Sequence, residues 1–200
     1  MKNPVKRARK IVTAVKRKTK ELKGSKLFEG ETHGIVWVPG SGPERTNFMG
    51  PGTNIIERLR RGDKGKTPID EISKLHDIEY TLASGLAKDE KEHAQMGRAA
   101  DERMMYAGWN AFVSGRESLF NTVQGAGLIK AKTLLEDWGI LSRTKFLSPR
   151  TFKYKLESEH RDATEYELLM RARNAMINEG VNADKYEAKR LETNESLFSV

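Results

Sequence analysis

Apolar positions recur at helical spacing along most of the chain and give way to extended, glycine-rich sequence in one place. The stretch "TPIDEISKLHDIEYTLASG" opens with Thr67 as an N-cap, Pro68 at the first helical position and Asp70 three residues past the cap, and it closes at Ser84-Gly85. That pattern predicts a helix over 68–83. A second long helix is predicted over roughly 88–113, with Ala94, Ala100, Met104 and Phe112 as buried candidates and Gly97 and Gly108 as weak points. "GLIKAKTLLEDWG" (127–139) is amphipathic, and "DATEYELLMRARNAMINEG" (162–180) carries a D-x-x-E capping box and a terminal glycine. Residues 34–54 hold one short apolar run followed by dense Gly and Pro, so they read as an extended segment leading into ordered loops. Residues 142–156, with Pro149 among basic and aromatic side chains, read as an irregular connection. The expected fold class is mainly α.

Composition narrows this picture. The 200 residues are 37% hydrophobic and 32% charged, enough for one modest core with tails. No apolar run approaches the roughly 20 residues that cross a bilayer, and the N-terminus lacks the apolar stretch and cleavage site of a secretory signal. With no cysteine, neither disulfides nor thiolate ligands support the fold. Positive charge is concentrated: residues 1–26 hold eleven Lys or Arg and one acid, Glu21. That segment carries +10, so the +8 of the whole chain leaves residues 27–200 at −2. Clusters such as Lys6-Arg7-Ala8-Arg9-Lys10 and Lys16-Arg17-Lys18 suit nucleic acid, anionic lipid or nuclear import machinery. The arm is expected to be disordered, or a basic amphipathic helix built on Val5, Ile11, Val12, Val15 and Leu22.

Candidate chemistry lies in "NFMGPGTN" (47–54) and "LHDIEY" (75–80). His76 and Tyr80, four apart on a helix, share a face, while Asp77 is rotated by about 100°. A general base beside a metal-binding carboxylate suits a site where a cation and an activated water act on one substrate atom. Four histidines and no cysteine favour an oxygen-loving cation such as Ca²⁺, and the carbonyls of "FMGPG" are suitable ligands. A histidine base also needs its second ring nitrogen held by a carboxylate. Asp101 is placed to do this if the two long helices pack antiparallel, with Tyr80 donating its hydroxyl to Asp101.

Together, F-M-G-P-G, then T-P-I-D-E-I-S-K-L-H-D-I-E-Y, then A-A-D-E-R-M-M resemble the phospholipase A2 domain at the N-terminus of the largest parvovirus capsid protein. They resemble the secreted phospholipases A2 more distantly. The resemblance covers about residues 45–140 and implies a phospholipase A2-like fold: two long antiparallel helices with a glycine-rich calcium loop, and additional C-terminal helices. It divides the chain into a basic arm (1–26), the phospholipase-like domain (27–140) and a helical extension (141–200). The carbonyls of Phe48, Gly50 and Gly52 and the carboxylate of Asp77 would bind Ca²⁺. His76 would deprotonate the water that attacks the sn-2 ester of a phospholipid, oriented by Asp101 and Tyr80. Calcium and a backbone N–H near Gly50 would stabilise the oxyanion. Phe48 stands where a tyrosine is common in the family, a change that matters little when the ligand is a carbonyl.

The resemblance further implies a virion protein that breaches a membrane during entry, with host endosome and nucleus as its stations and capsid proteins as partners. After residue 140 about 60 residues remain, too few for a jelly-roll shell domain, so either a stand-alone accessory protein or a separately expressed one is expected. The alternative is a non-catalytic virion or nucleic-acid-binding protein that keeps the fold as a scaffold for the basic arm. His33, His93 and His160 lack ligand-spaced partners and read as ordinary structural residues. Trp109, Phe112, Leu119 and Phe120 read as core more readily than as an acyl-chain channel or a contact with a bilayer surface.

Overall fold

A computed structural model describes residues 31–143 and 160–180. The basic arm and most of the 142–156 connection lie outside the described residues. What is described is mainly helical, with a single small hairpin.

The Gly/Pro-rich stretch forms that hairpin. Strands β1 (Ile35–Val38) and β2 (Gly42–Arg45) pair antiparallel, with Ile35 opposite Arg45 and Val38 opposite Gly42. Val36 is buried beneath the hairpin and Trp37 faces outward. Helix α1 (Ile55–Arg61) starts at Asn54, whose side chain accepts from the Glu57 N–H, and stops at Gly62.

The first long helix, α2 (Pro68–Leu86), starts as the sequence predicts: Thr67 is the cap, accepting from the Asp70 N–H, and Pro68 follows. It runs past Gly85 because that glycine is buried against its neighbours, and packing outweighs its weak propensity. Asp89 caps α3 (Glu90–Val113). Pairs Ser84–His93, Tyr80–Asp101 and Glu79–Arg103 run in opposite directions along the two helices, which are therefore antiparallel. Gly108 is no weak point: a Cβ there would lie 2.7 Å from the Ala126 Cβ and 2.8 Å from Ile69 Cδ1. Its absence lets the next segment come close.

That segment is continuous. A short turn α4 (Leu119–Thr122) passes through a π turn (Val123–Gly127) into α5 (Leu128–Asp137). Helix α6 (His160–Asn178) is the last, and Gly180 beyond it takes φ 76°.

The apolar side chains form two buried clusters. One gathers Phe48, Leu75, Ile78, Leu82 and Met96 with Leu169 and Met176 of α6. The other gathers Val36, Met49, Ile69, Ile72, Met104 and Ala126. Helix α6 thus completes the core that the long helices begin. Neighbouring loop residues enter different clusters, Phe48 one and Met49 the other. Each such burial is worth about 1.5–3 kcal/mol, so the glycine loop is held at two points. By contrast Trp109, Leu119 and Phe120 are exposed and Phe112 is only partly buried, so the core reading of these four does not hold.

Candidate active site

One face of α2 carries His76 and Tyr80, whose rings lie 4.2 Å apart between centroids. Antiparallel packing brings Asp101 of α3 beneath them, fully buried. Its Oδ1 sits 2.9 Å from His76 Nε2 and accepts the Tyr80 hydroxyl at 2.5 Å. With one ring nitrogen occupied, His76 keeps the other for chemistry: Nδ1 faces Asp77 Oδ1 at 3.5 Å. The rotation of Asp77 around the helix therefore does not separate the two side chains. Its carboxylate swings back toward the imidazole.

Charge follows from this arrangement. Burial opposes a proton on His76, but the hydrogen bonds and charges of Asp101 and Asp77 outweigh it and raise the pKa from 6.5 to about 9. Burial also drives Asp101 upward, yet His76 and Lys132 hold it below the ordinary carboxylate value. Burial raises Asp77, and His76 and Thr53 only partly offset it. Tyr80 is pushed far up by burial and by the Asp101 charge, so its hydroxyl remains a donor.

The glycine loop reaches the same place. Thr53 Oγ1 lies 3.3 Å from the Phe48 carbonyl and 3.2 Å from the Gly50 carbonyl, and it also interacts with the Asp77 carboxyl. One hydroxyl proton cannot satisfy three oxygens. Asp77 Oδ2 is buried and has no hydrogen-bond partner among the described residues. Converging, under-satisfied oxygens of this kind are what a hard cation takes, so Phe48, Gly50 and Asp77 fit Ca²⁺ in donor type. Gly52 is at the exposed tip with φ 81°, and among the described residues no hydrogen bond ties its carbonyl to the cluster. No group of three or more His, Asp or Glu side chains forms a metal site among the described residues. A cation here would depend on backbone oxygens.

Two supports were not visible in the sequence. Asp70, read there only as a first-turn acid, is completely buried and accepts four backbone N–H groups. Asn47 and Lys66 bond Oδ2 at 2.9 Å each, and Phe48 and Met49 bond Oδ1 at 2.9 and 3.0 Å. Helix α2 thereby grips the loop it must face. Gly50 allows the opposite side to close: a Cβ there would fall 2.0 Å from the Thr32 carbonyl oxygen and 2.9 Å from His33 Cα. The Gly50 N–H makes no hydrogen bond among the described residues, as an oxyanion donor requires. The second support is Lys132 on α5, whose ammonium contacts Asp101 Oδ2 and donates to the Tyr80 oxygen at 2.8 Å.

The remaining histidines stand apart from this cluster. His93 is buried against Ser84 at 3.4 Å. His33 is buried with no hydrogen bond to either ring nitrogen among the described residues. The His160 side chain lies outside the described residues. No helix among the described residues is long and apolar enough to cross a membrane. The chain matches no protein-family model, no curated protein and no solved structure.

Proposed function

We propose that the protein is a calcium-dependent phospholipase A2-type hydrolase that cleaves the sn-2 ester of membrane phospholipids, built on a phospholipase A2-like fold. The observation that carries this reading is His76 held at Nε2 by Asp101, with Nδ1 directed toward Asp77 beside the loop carbonyls. A histidine anchored in this way presents one nitrogen to water in a fixed direction.

Phe48, Gly50 and Asp77 would hold calcium, with Gly52 as a further carbonyl implied by the family resemblance. Bound there, the ion supplies positive charge that polarises the ester carbonyl and offsets Asp77. In the free protein two carboxylates keep a proton on His76 at neutral pH. With Nε2 held by Asp101, Nδ1 is the nitrogen left to act as a base, and a cation held by Asp77 would weaken that carboxylate's pull on the imidazole proton. The imidazole then takes a proton from water as the oxygen attacks the ester carbon, and Asp101 stabilises the imidazolium that forms. The Gly50 N–H donates to the developing oxyanion. His76 returns its proton to the leaving alcohol, which leaves as the lysophospholipid.

On the parvovirus resemblance, the activity would belong to a virion that opens a host endosomal membrane, with capsid proteins as neighbours and the nucleus as destination. A second reading draws on one observation, the +10 charge of residues 1–26. In that reading the protein binds nucleic acid through the arm and the helical domain is a scaffold. Fatty-acid release from phospholipid vesicles separates the two. Wild type with calcium is expected to release fatty acid, and neither wild type with chelator nor His76→Ala with calcium should do so. Release that ignores calcium, or that persists in His76→Ala, refutes the hydrolase mechanism.

A further inference from the structure

Asp101 can orient His76 only if its own carboxylate is fixed. Its Oδ1 takes the imidazole N–H and the tyrosine hydroxyl, which leaves Oδ2 to be held from elsewhere. The third long segment supplies that contact. Lys132 of α5 reaches Asp101 Oδ2, and the same ammonium donates to the Tyr80 oxygen at 2.8 Å. Lysine, tyrosine and aspartate thus close a triangle: lysine to both oxygens, tyrosine to the carboxylate. Rotation of the Asp101 carboxylate would break two of its sides at once.

The lysine is itself directed. Glu136, one turn further along α5, places Oε1 2.9 Å from the ammonium, and the Glu136 side chain is buried. The ammonium therefore donates to two acceptors, Asp101 Oδ2 and the Tyr80 oxygen, and faces Glu136 Oε1 as an opposite charge without a hydrogen bond to it. Two buried carboxylates, Asp101 and Glu136, share this space, with His76 beside Asp101 and Arg98 3.7 Å from Glu136 Oε2, and removing the ammonium would leave each with one cation fewer. The register that brings Lys132 here comes from the π turn at Val123–Gly127. One extra residue in a helix rotates everything after it by about 100°, and Gly125 and Ala126 allow the turn to sit against Ile69.

We propose that Lys132 is a positioning residue for the His76–Asp101 pair, fixing the Asp101 carboxylate and the Tyr80 hydroxyl so that the imidazole is held in one orientation. The proposal rests on the hydrolase reading for its kinetic consequence, and its structural content can be tested without activity.

Three variants suffice: Lys132→Met, which removes the ammonium; Lys132→Arg, which keeps a cation; and Lys132→Met/Glu136→Gln, which removes the ammonium together with one buried carboxylate and so protects folding. The first readout is the ring N–H of His76 in histidine-labelled protein by NMR, assigned as the signal absent from His76→Gln. Wild type and Lys132→Arg are expected to show it protected from solvent exchange. Lys132→Met and the double variant should lose it while circular dichroism and the unfolding midpoint report a folded chain. The second readout is vesicle hydrolysis. Loss of the ammonium should lower kcat by about ten- to a hundredfold with KM and the calcium midpoint unchanged, and arginine should restore most of it. A wild type without the protected signal, or a folded double variant that retains it, overturns the proposal. Inactive wild type would overturn the hydrolase reading alone, because the NMR comparison still decides what Lys132 holds.

Discussion

Gly50→Ala is the sharpest test of the loop geometry. The added methyl would begin 2.0 Å from the Thr32 carbonyl oxygen and 2.9 Å from His33 Cα, and both neighbours are backbone. Neither can rotate away as a side chain would. Since non-bonded carbon and oxygen stay more than about 3 Å apart, the loop or residues 32–33 must retreat by about 1 Å. Retreat is resisted, because Asp70 holds Asn47, Phe48 and Met49 on one side and the Gly34 N–H holds the Met49 carbonyl at 2.8 Å. Overpacking against such a frame costs about 1–3 kcal/mol, or a fall of about 4–8 °C in the unfolding midpoint at 2 kcal/mol for a chain of this size. A shift of about 1 Å would also carry a carbonyl out of the roughly 2.3–2.6 Å range of calcium–oxygen bonds, so calcium-dependent hydrolysis should fall by about a hundredfold. Gly115→Ala is the control: φ is 72° there, but nothing lies within 4 Å of the added Cβ. It should cost about 1 kcal/mol of backbone strain and leave the calcium midpoint alone. Thermal unfolding and calcium titration of vesicle hydrolysis are the assays. A Gly50→Ala protein with the wild-type midpoint and the wild-type calcium response would refute the argument.

Other expectations follow from the same coordinates. Asp101→Asn should keep the fold and lower kcat by about a thousandfold or more, because the amide cannot stabilise the imidazolium; equal rates in the two proteins would count against the base assignment. His33 is held neutral, its pKa lowered from 6.5 to about 4 first by burial and then by Arg58. The unfolded chain therefore binds the proton first, and stability present above pH 6.5 should be lost as pH falls toward 4, by up to about 3 kcal/mol. Urea unfolding at pH 7 and pH 4.5 measures this, and His33→Gln should flatten the difference. Glu79→Gln removes the carboxylate shared by the buried Arg103 and Arg173, a change expected to cost about 3–5 kcal/mol. An unchanged denaturation midpoint would show that α6 is held without it.

The helices were legible because their signals are local. Thr67-Pro68 marks a start whatever surrounds it, and the four-residue spacing of His76 and Tyr80 fixes a common face. Asp101 was reachable through one further step, the antiparallel return of α3. What escaped depends on contacts far apart in sequence. Asp70 shows only a helix-favouring acid in the sequence, and its grip on Asn47, Phe48 and Met49 appears once the loop folds back over 20 or more positions. Lys132 sits in an amphipathic stretch where a lysine ordinarily faces water. The π turn that redirects it has no periodic signature, because a single inserted residue looks like drift in the pattern. Gly108 misled for a related reason: its propensity is local, while the Ile69 and Ala126 contacts that favour it are not. The exposed aromatics misled in the opposite sense, since helical spacing of Trp109 and Phe112 identifies a stripe without saying whether anything covers it.

Helix α6 supplies Leu169 and Met176 to the cluster that receives Phe48. The glycine-loop residue therefore leans on a wall delivered by α6, far away in sequence. Shortening the polypeptide to its first 143 residues would leave every proposed ligand and catalytic side chain in place and still unseat the loop from behind. Loss of α6 would then disturb the proposed site through the hydrophobic interior, with no change to any of the site's own residues.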